Sequence, residues 1–513
     1  MRKIVLSDEI KKMEAEIINN LGVPSLSLME RAASSVLDVI LEKTNNARKM
    51  VILCGQGNNA GDGFALARMA IEYDFDVKIV FAGNMDKMSS ECAVCFDICR
   101  KMGISITDDI TSASYILKDA DIIVDALFGI GLSRSVTGFY YDLIAIANDI
   151  KSSNSHRVTK FSVDIPSGLG SDSGKVLGIA FEADYTVTLG IEKAGLYLND
   201  GPLYCGEVIL KRIGITGDNY NNCYTLDESD IKAISPVSIL ANKSSKGKVL
   251  CITGSKDMPG ASILSARAAL RAGAGMVKIF TEESNRDLII HEIPEAMVST
   301  FNQDIDNDKL KEKLKENLKW CDCALIGCGL STSDDAKKLV LNTLELCEKT
   351  LVIDADALNL IGLYDELFNR LIFRAENGFV TVLTPHPMEY SRVFKTDIKD
   401  KDNQDILSVM ENAFKSGVNL AAKDARTIVS DGHKVYINTV TDNALATAGS
   451  GDVYAGIISA LISNNDESLE TVAIATLLHG LCGKKAASLH GSRSVNASDI
   501  IDALEDIFIE NNL

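Results

Sequence analysis

A chain of 513 residues exceeds what one hydrophobic core normally supports, so at least two domains are expected. Its 46% hydrophobic and 24% charged content is that of an ordered globular protein and excludes wholesale disorder. The 52 Lys and Arg set against 71 Asp and Glu leave a net charge of -19, which argues against broad nucleic-acid binding and leaves small anionic ligands open.

The first residues, MRKIVLSDEIKKMEAEIINNLG, turn acidic and helical before an apolar core develops, unlike a secretory leader. No apolar run reaches the length of a membrane span. A cytoplasmic protein with neither membrane nor nucleic-acid partners is expected, and a homo-oligomer is compatible with the sequence.

From Lys49 onward, short apolar runs alternate with helical patterns: MVILC, GFALARMAIEY, DVKIVFA, SECAVCFDICRKM and DIIVDALFG. This alternation predicts a parallel sheet covered by helices on both faces. Within it, Cys92, Cys95 and Cys99 recur at i, i+3, i+7, the spacing of one helical face, with no His near them in sequence. A buried stripe is the expectation, and the 12 Cys as a whole do not resemble a secreted disulfide framework. Cys321 and Cys323, beside an expected strand, read as structural too.

The pattern thins over GITGDNYNNCYTLDESDIKAISPVSILANKSSKGK, which is polar and ends in a loop-like ANKSSKGK. Residues 1–215 are therefore expected to form one domain, 216–240 a linker region and 241–513 a second domain. The second alternation runs through KVLCITG, ASILSARAALRAGAG, MVKIFT, DCALIG, TLVIDAD, FVTVLTPHP and VNLAAKD, with closing helices at 452–463, 468–489 and 497–510. DKLKEKLKENLKW carries Leu310, Leu314 and Leu318 at helical spacing and reads as a surface helix.

The first candidate site follows MVILC. GQGNNAGDGFALA is a glycine-rich strand-to-helix turn without the Lys-Ser/Thr pair of a phosphate loop and without the G-x-G-x-x-G spacing. Asn58, Asn59 and Asp62 place amide and carboxylate groups within that one turn, suited to a ligand or a hard cation. Asp125 in VDALFGIGLSRSVTG, and Asp164 with Ser167 in SVDIPSGLGSDSG, stand at further strand ends, which converge in such sheets.

GQGNNAGDG, DALFGIGLSR and DIPSGL together resemble the epimerase domain of the NAD(P)H-hydrate repair enzymes, over about the first 215 residues. The resemblance implies a Rossmann-like three-layer α/β/α sandwich. It implies that Asn58, Asn59, Ala60, Gly61 and Asp62, with Gly129, Ile130, Gly131, Leu132, Ser133, Arg134 and Ser135, line the hydrated nicotinamide nucleotide. Asn59, Asp125 and Ser167 would hold a potassium ion, and Asp164 would touch the substrate and serve as acid/base. Ala60 stands where the family more often has glycine.

In the second half, NALATAGSGDVYAGIISALI puts Asp452 directly after a glycine turn and before an apolar helix. Asp is a good N-cap, so a purely structural role is available to it. TGSKDMPGASILSA, CALIGCGLS and VLTPHPMEY supply further turns at strand ends, the last with His386 and Glu389. IDADALN, LTPHPMEY, AAKDART and ATAGSGD resemble the ribokinase-like fold and, within it, the NAD(P)H-hydrate dehydratases, from about residue 235 to the end.

That resemblance implies a ribokinase-like α/β domain in which Ala261, Gly329, His386 and Asp452 contact the hydrate. Lys423, Asp424, Ala425, Arg426, Thr427, Gly449, Ser450 and Gly451 would bind the nucleotide. Asp452 would remove the proton from the hydroxyl that attacks the phosphoryl group, with Mg²⁺ accompanying ADP as the expected donor, in preference to ATP. The turn would meanwhile offer N–H groups to the developing charge.

Departures from the family concentrate on the nucleotide side: KDART, Asn443-Ala444-Leu445 for Asn-Pro-Gly, GCGLS for a glycine-proline turn, and Met388 for glycine. Asp424 would repel phosphate if it pointed inward.

The whole reads as a bifunctional enzyme that equilibrates the two C6 epimers of hydrated NADH or NADPH and dehydrates the S form. Two other readings share these motifs: a ribokinase-like kinase releasing a stable phosphate ester, and a non-catalytic N-terminal binding module. The acids Asp125 and Asp164 with Asn59 favour the enzyme.

Overall fold

A computed structural model describes all residues except 46, 153–157, 216–221, 303–304, 401 and 465–466; the first part of the expected linker, 216–221, lies outside the described residues. The chain divides into two compact units, Lys3–Asn221 and Asn222–Leu513, the latter joined by Met1–Arg2.

The first unit holds a seven-stranded sheet in the order Ser105–Thr107, Asp76–Phe81, Lys49–Cys54, Ile122–Ala126, Thr159–Val163, Tyr185–Leu189 and Glu207–Lys211. Every neighbouring pair is parallel. Buried on both faces, the strands need apolar side chains throughout, which is why MVILC and IIV read as continuous runs.

Helices Ser7–Asn19, Ser25–Lys43, Asn58–Ile71 and Ser90–Lys101 contribute to one apolar layer, and Ile110–Lys118 and Phe139–Asp149 to the other. Cys92, Cys95 and Cys99 are indeed a buried helical face: the Cys99 thiol donates to Phe64 O (3.1 Å) and the Cys95 sulfur meets Met29 Sδ (3.6 Å). The chain order reverses between Lys49–Cys54 and Ile122–Ala126, so a crevice opens past their carboxyl ends.

The second unit has strands ordered Met297–Phe301, Met276–Glu282, Lys248–Ile252, Cys323–Ile326, Thr350–Ile353, Thr381–Leu383 and Asn419–Ala422, all parallel. Ile428–Ser430 and Lys434–Asn438 continue it antiparallel, and Asn222–Leu226 pairs in parallel with Lys434–Asn438. This last strand falls within the stretch expected to be a linker. Its Cys223, Thr225 and Leu226 are buried, a short apolar signal submerged in polar neighbours.

The closing helices are Ser450–Ser463, Leu469–His490 and Ala497–Asn511, and DKLKEKLKENLKW lies in the helix Asn307–Trp320 with Leu310, Leu314 and Leu318 buried. Among the described residues no helix is long and apolar enough to cross a membrane.

Candidate active sites

In the first unit the crevice is a cavity of about 520 Å³. Asn58, Asn59 and Asp62 line it from the start of the helix Asn58–Ile71, Gly129–Arg134 from the loop after Ile122–Ala126, and Asp164 from the end of Thr159–Val163. Ala60, Gly61 and Ser135 are not among its lining residues. Ala60 is fully buried, and a Cβ on Gly61 would lie 2.4 Å from Met29 Cε, so these two residues pack the helix onto its neighbour.

Beneath the cavity, Asp125 is wholly buried. Its Oδ1 accepts from Ser167 Oγ (2.6 Å) and Leu127 N (3.2 Å), and its Oδ2 from Ser167 N (2.7 Å) and Ser162 Oγ (3.2 Å). Burial pushes its carboxyl up to about 6 against those donors. Asn59 Nδ2 donates to Phe128 O (2.9 Å), and Ser167 Oγ lies 3.3 Å from the same oxygen. The carboxylate, hydroxyl, carbonyl and side-chain amide thus form a compact oxygen-rich set, a chemistry that fits a hard monovalent cation.

Two residues that the sequence reading did not single out complete the cavity. Lys193, 1% exposed at its side chain, forms an ion pair with Asp164 Oδ1, and Glu14 reaches in from the helix Ser7–Asn19. Lys193 is placed by the short strand Glu192–Lys193, where it pairs with Val5. A lone lysine inside the apolar IEKAGLYL was the available signal, since a buried lysine requires a partner.

In the second unit Gly449 adopts the left-handed conformation (φ 87°) and starts the helix Ser450–Ser463, as the turn requires. Asp452 lies in its first turn and is not its N-cap, a position that belongs to Gly449. Its carboxyl instead meets the Cys328 thiol and Asp354, with Cys328 Sγ and one oxygen of each acid within 4.8 Å of one another. Burial first, then the Asp354 charge, push Asp452 up to about 7, while Cys328 and Lys423 act the other way.

Lys423 Nζ donates to Asp354 Oδ1 (2.7 Å). Gly451 stands over this pair: a Cβ there would make ordinary van der Waals contact with Lys423 Nζ (3.4 Å) and Asp354 Oδ2 (3.6 Å). Ser450 Oγ contacts His479 Nε2 (3.1 Å), and burial holds His479 neutral, down to about 3. Two carboxylates, one thiol and an ammonium already on Asp354 do not fit an all-oxygen magnesium site.

The structure brings Ala261 and Gly329 together: a Cβ on Gly329 (φ 64°) would lie 2.7 Å from Ala261 Cβ. His386 caps the helix Pro387–Phe394, its Nδ1 accepting from Met388 N (3.1 Å) while Nε2 lies 3.1 Å from Glu389 Oε1. Asp424 is exposed and accepts from Asn403 Nδ2 (3.0 Å) and Ala425 N (2.7 Å), so its charge is engaged locally. Arg426 donates to Thr439 O, and Thr427 O accepts from Asn438 N (3.0 Å), which ties KDART to the antiparallel strands.

Two family patterns match the chain: "YjeF-related protein N-terminus" over residues 25–195 and "NAD(P)H-hydrate dehydratase" over 249–506. The bifunctional NAD(P)H-hydrate repair enzyme Nnr of Dictyoglomus turgidum is 33% identical over 98% of this chain and 97% of its own length. The chain belongs to the bifunctional NAD(P)H-hydrate repair enzymes.

As a repair enzyme it acts on small nucleotide substrates, with an epimerase and a dehydratase in one polypeptide. Among solved structures, a ribokinase-like superfamily protein of Enterococcus faecalis is 25% identical, covering 58% of this chain and 99% of its own, with a TM-score of 0.48. The ADP/ATP-dependent NAD(P)H-hydrate dehydratase of Bacillus subtilis, co-crystallised with ATP/Mg²⁺, is 22% identical over 56% of this chain and 99% of its own, with a TM-score of 0.47.

Proposed function

We propose that residues 1–215 interconvert the R and S hydrates of NADH and NADPH and that residues 241–513 dehydrate the S form with ADP as phosphoryl donor, in the cytoplasm. In the epimerase, Asn58, Asn59, Asp62 and Gly129–Arg134 bind the hydrate, and Asp164 moves the proton. Asn59, Asp125 and Ser167 would hold a potassium ion, which when bound supplies fixed positive charge close to an anionic substrate.

The dehydratase reading is carried by Asp452: a carboxyl at a helix start, pushed up to about 7 by burial and by Asp354, is a base matched to neutral pH. It takes the C6 hydroxyl proton as that oxygen attacks the phosphoryl group. Phosphate, a far better leaving group than hydroxide, then departs from C6 while a proton leaves C5, restoring the dihydropyridine.

The backbone N–H groups of Gly449–Gly451 face the developing phosphoryl charge. Lys423 neutralises phosphate after exchanging its hold on Asp354, and Ala261, Gly329 and His386 bound the nicotinamide side. The donors around Asp452 do not fit magnesium.

The test is purified protein supplied with mixed hydrate epimers, Mg²⁺ and either ADP or ATP. Return of reduced-cofactor absorbance with release of AMP supports the reading. A stable phosphate ester with no such return overturns it.

A further inference from the structure

We propose that Asp62 and Asp164 are the proton donor and proton acceptor of the epimerisation, which opens and recloses the hydrated ring between C6 and N1, and that Lys193 is the positioning residue that fixes Asp164 as acceptor. The proposal rests on the assignment of this cavity to the epimerase.

Carbon 6 of the hydrate carries both a hydroxyl and the ring nitrogen. Asp164 takes the hydroxyl proton, the oxygen's electron pair forms an aldehyde, the C6–N1 bond pair goes to N1, and Asp62 protonates it. Rotation about C5–C6 presents the other face of the aldehyde. On reclosure N1 adds to that face, its proton returns to Asp62, and Asp164 returns the other to oxygen. Nothing is oxidised or reduced, and no co-reactant is consumed.

The geometry assigns the roles. Lys193 Nζ bonds Asp164 Oδ1, Thr188 Oγ1 (3.2 Å) and Leu189 O (2.8 Å), so its three donors are all used within the protein and none is left for substrate. Leu189 N also donates to Asp164 Oδ1 (3.0 Å), so both contacts fall on one oxygen and leave Oδ2 for the cavity. Asp164 itself holds φ 69°, a conformation unusual for a non-glycine residue, pinned by Asp164 N donating to Val187 O (2.8 Å). The backbone, the strand-borne lysine and one carboxylate oxygen thus over-determine where Oδ2 lies.

Asp62 stands in the first turns of the helix Asn58–Ile71, and its carboxyl accepts no hydrogen bond among the described residues. Burial pushes it well up; of the groups facing it, Asp164 and Glu14 add to that rise, Lys193 opposes it, and the Cys92 and Cys95 thiols of the helix Ser90–Lys101 are themselves pushed up by burial. An acid whose burial favours its proton, facing a lysine-paired carboxylate, makes a pair with divided roles.

The test follows epimerisation of the pure R hydrate by chromatography in ¹⁸O water across a pH series. It compares wild type with Asp62→Asn, Lys193→Met and Lys193→Arg, using dehydration of pure S hydrate by the same proteins as the control for folding. The wild type should retain ¹⁶O at C6 and slow at high pH as the donor loses its proton. Asp62→Asn should lower kcat by about 100-fold or more with KM within about threefold. Lys193→Met should lose kcat comparably, and Lys193→Arg should recover part of it.

Turnover by Asp62→Asn within about threefold of wild type, or uptake of ¹⁸O with each epimerisation as hydroxide loss would require, overturns the proposal. A wild type that epimerises nothing overturns the site assignment itself, a different failure.

Discussion

Lys423 and Asp354, 69 residues apart in sequence, meet at 2.7 Å beneath the glycine turn that carries Asp452. Asp354 is 1% exposed, and with Cys328 it forms the immediate surroundings of the Asp452 carboxyl. One acid therefore has two neighbours to serve: it anchors the lysine, and its charge raises the proton affinity of the base.

Asp354→Asn should move the acid limb of the dehydration profile to lower pH. Asp452 must be ionised to accept a proton, so activity falls as pH drops through about 7; removing the adjacent negative charge, with Lys423 still close, lowers that point. The same change weakens the base and should reduce the plateau rate. The measurement is kcat/KM against pH, and an unmoved limb would contradict this account of Asp452.

Lys423→Met leaves Asp354 buried without its cation, a change that typically costs about 3–5 kcal/mol. Denaturant unfolding should show the loss, and the double variant with Asp354→Asn should regain a large part of it, since the uncompensated charge is then gone.

AGSGD announced a turn before a helix, and Asp452 with it, because glycine conformation and helix starts are local properties. The pairing of Asp354 with Lys423 is not legible in the sequence: the two lie in separate motifs, IDADALN and AAKDART, and their contact comes from two strand ends brought together by sheet order. Glu14 and Lys193 were missed for the same reason, one lying on the first helix and the other on a two-residue strand. His386 with Glu389 at i, i+3 carries the spacing of a capping box, and the structure shows that arrangement.

Asp452→Asn should be more stable than wild type, and increasingly so as pH rises. The folded carboxyl titrates near 7 against 3.8 unfolded, so the folded state holds the proton more tightly, and stability is lost as pH climbs through that window. The variant escapes a penalty of up to about 4 kcal/mol at pH 8 and about 2 kcal/mol at pH 5. Thermal unfolding at the two pH values measures the difference; an equal gain at both would contradict it.

Asp125→Ala should weaken epimerisation in a way that added potassium partly restores. Removing one oxygen donor from the Asn59, Asp125 and Ser167 set lowers cation affinity before it abolishes the site. Rates across a potassium series test this, and indifference to potassium in both proteins would remove the ion from the account.

If each reaction has its own site in its own part of the chain, Asp164→Ala and Asp452→Asn, each assayed for both reactions, should lose different activities. Asp164→Ala should dehydrate pure S hydrate at the wild-type rate while a mixture of epimers stalls once the S form is consumed, apart from slow spontaneous epimerisation. Asp452→Asn should equilibrate the epimers and regenerate no reduced cofactor. Loss of both activities from either substitution, in protein that remains folded, would contradict the two-site account.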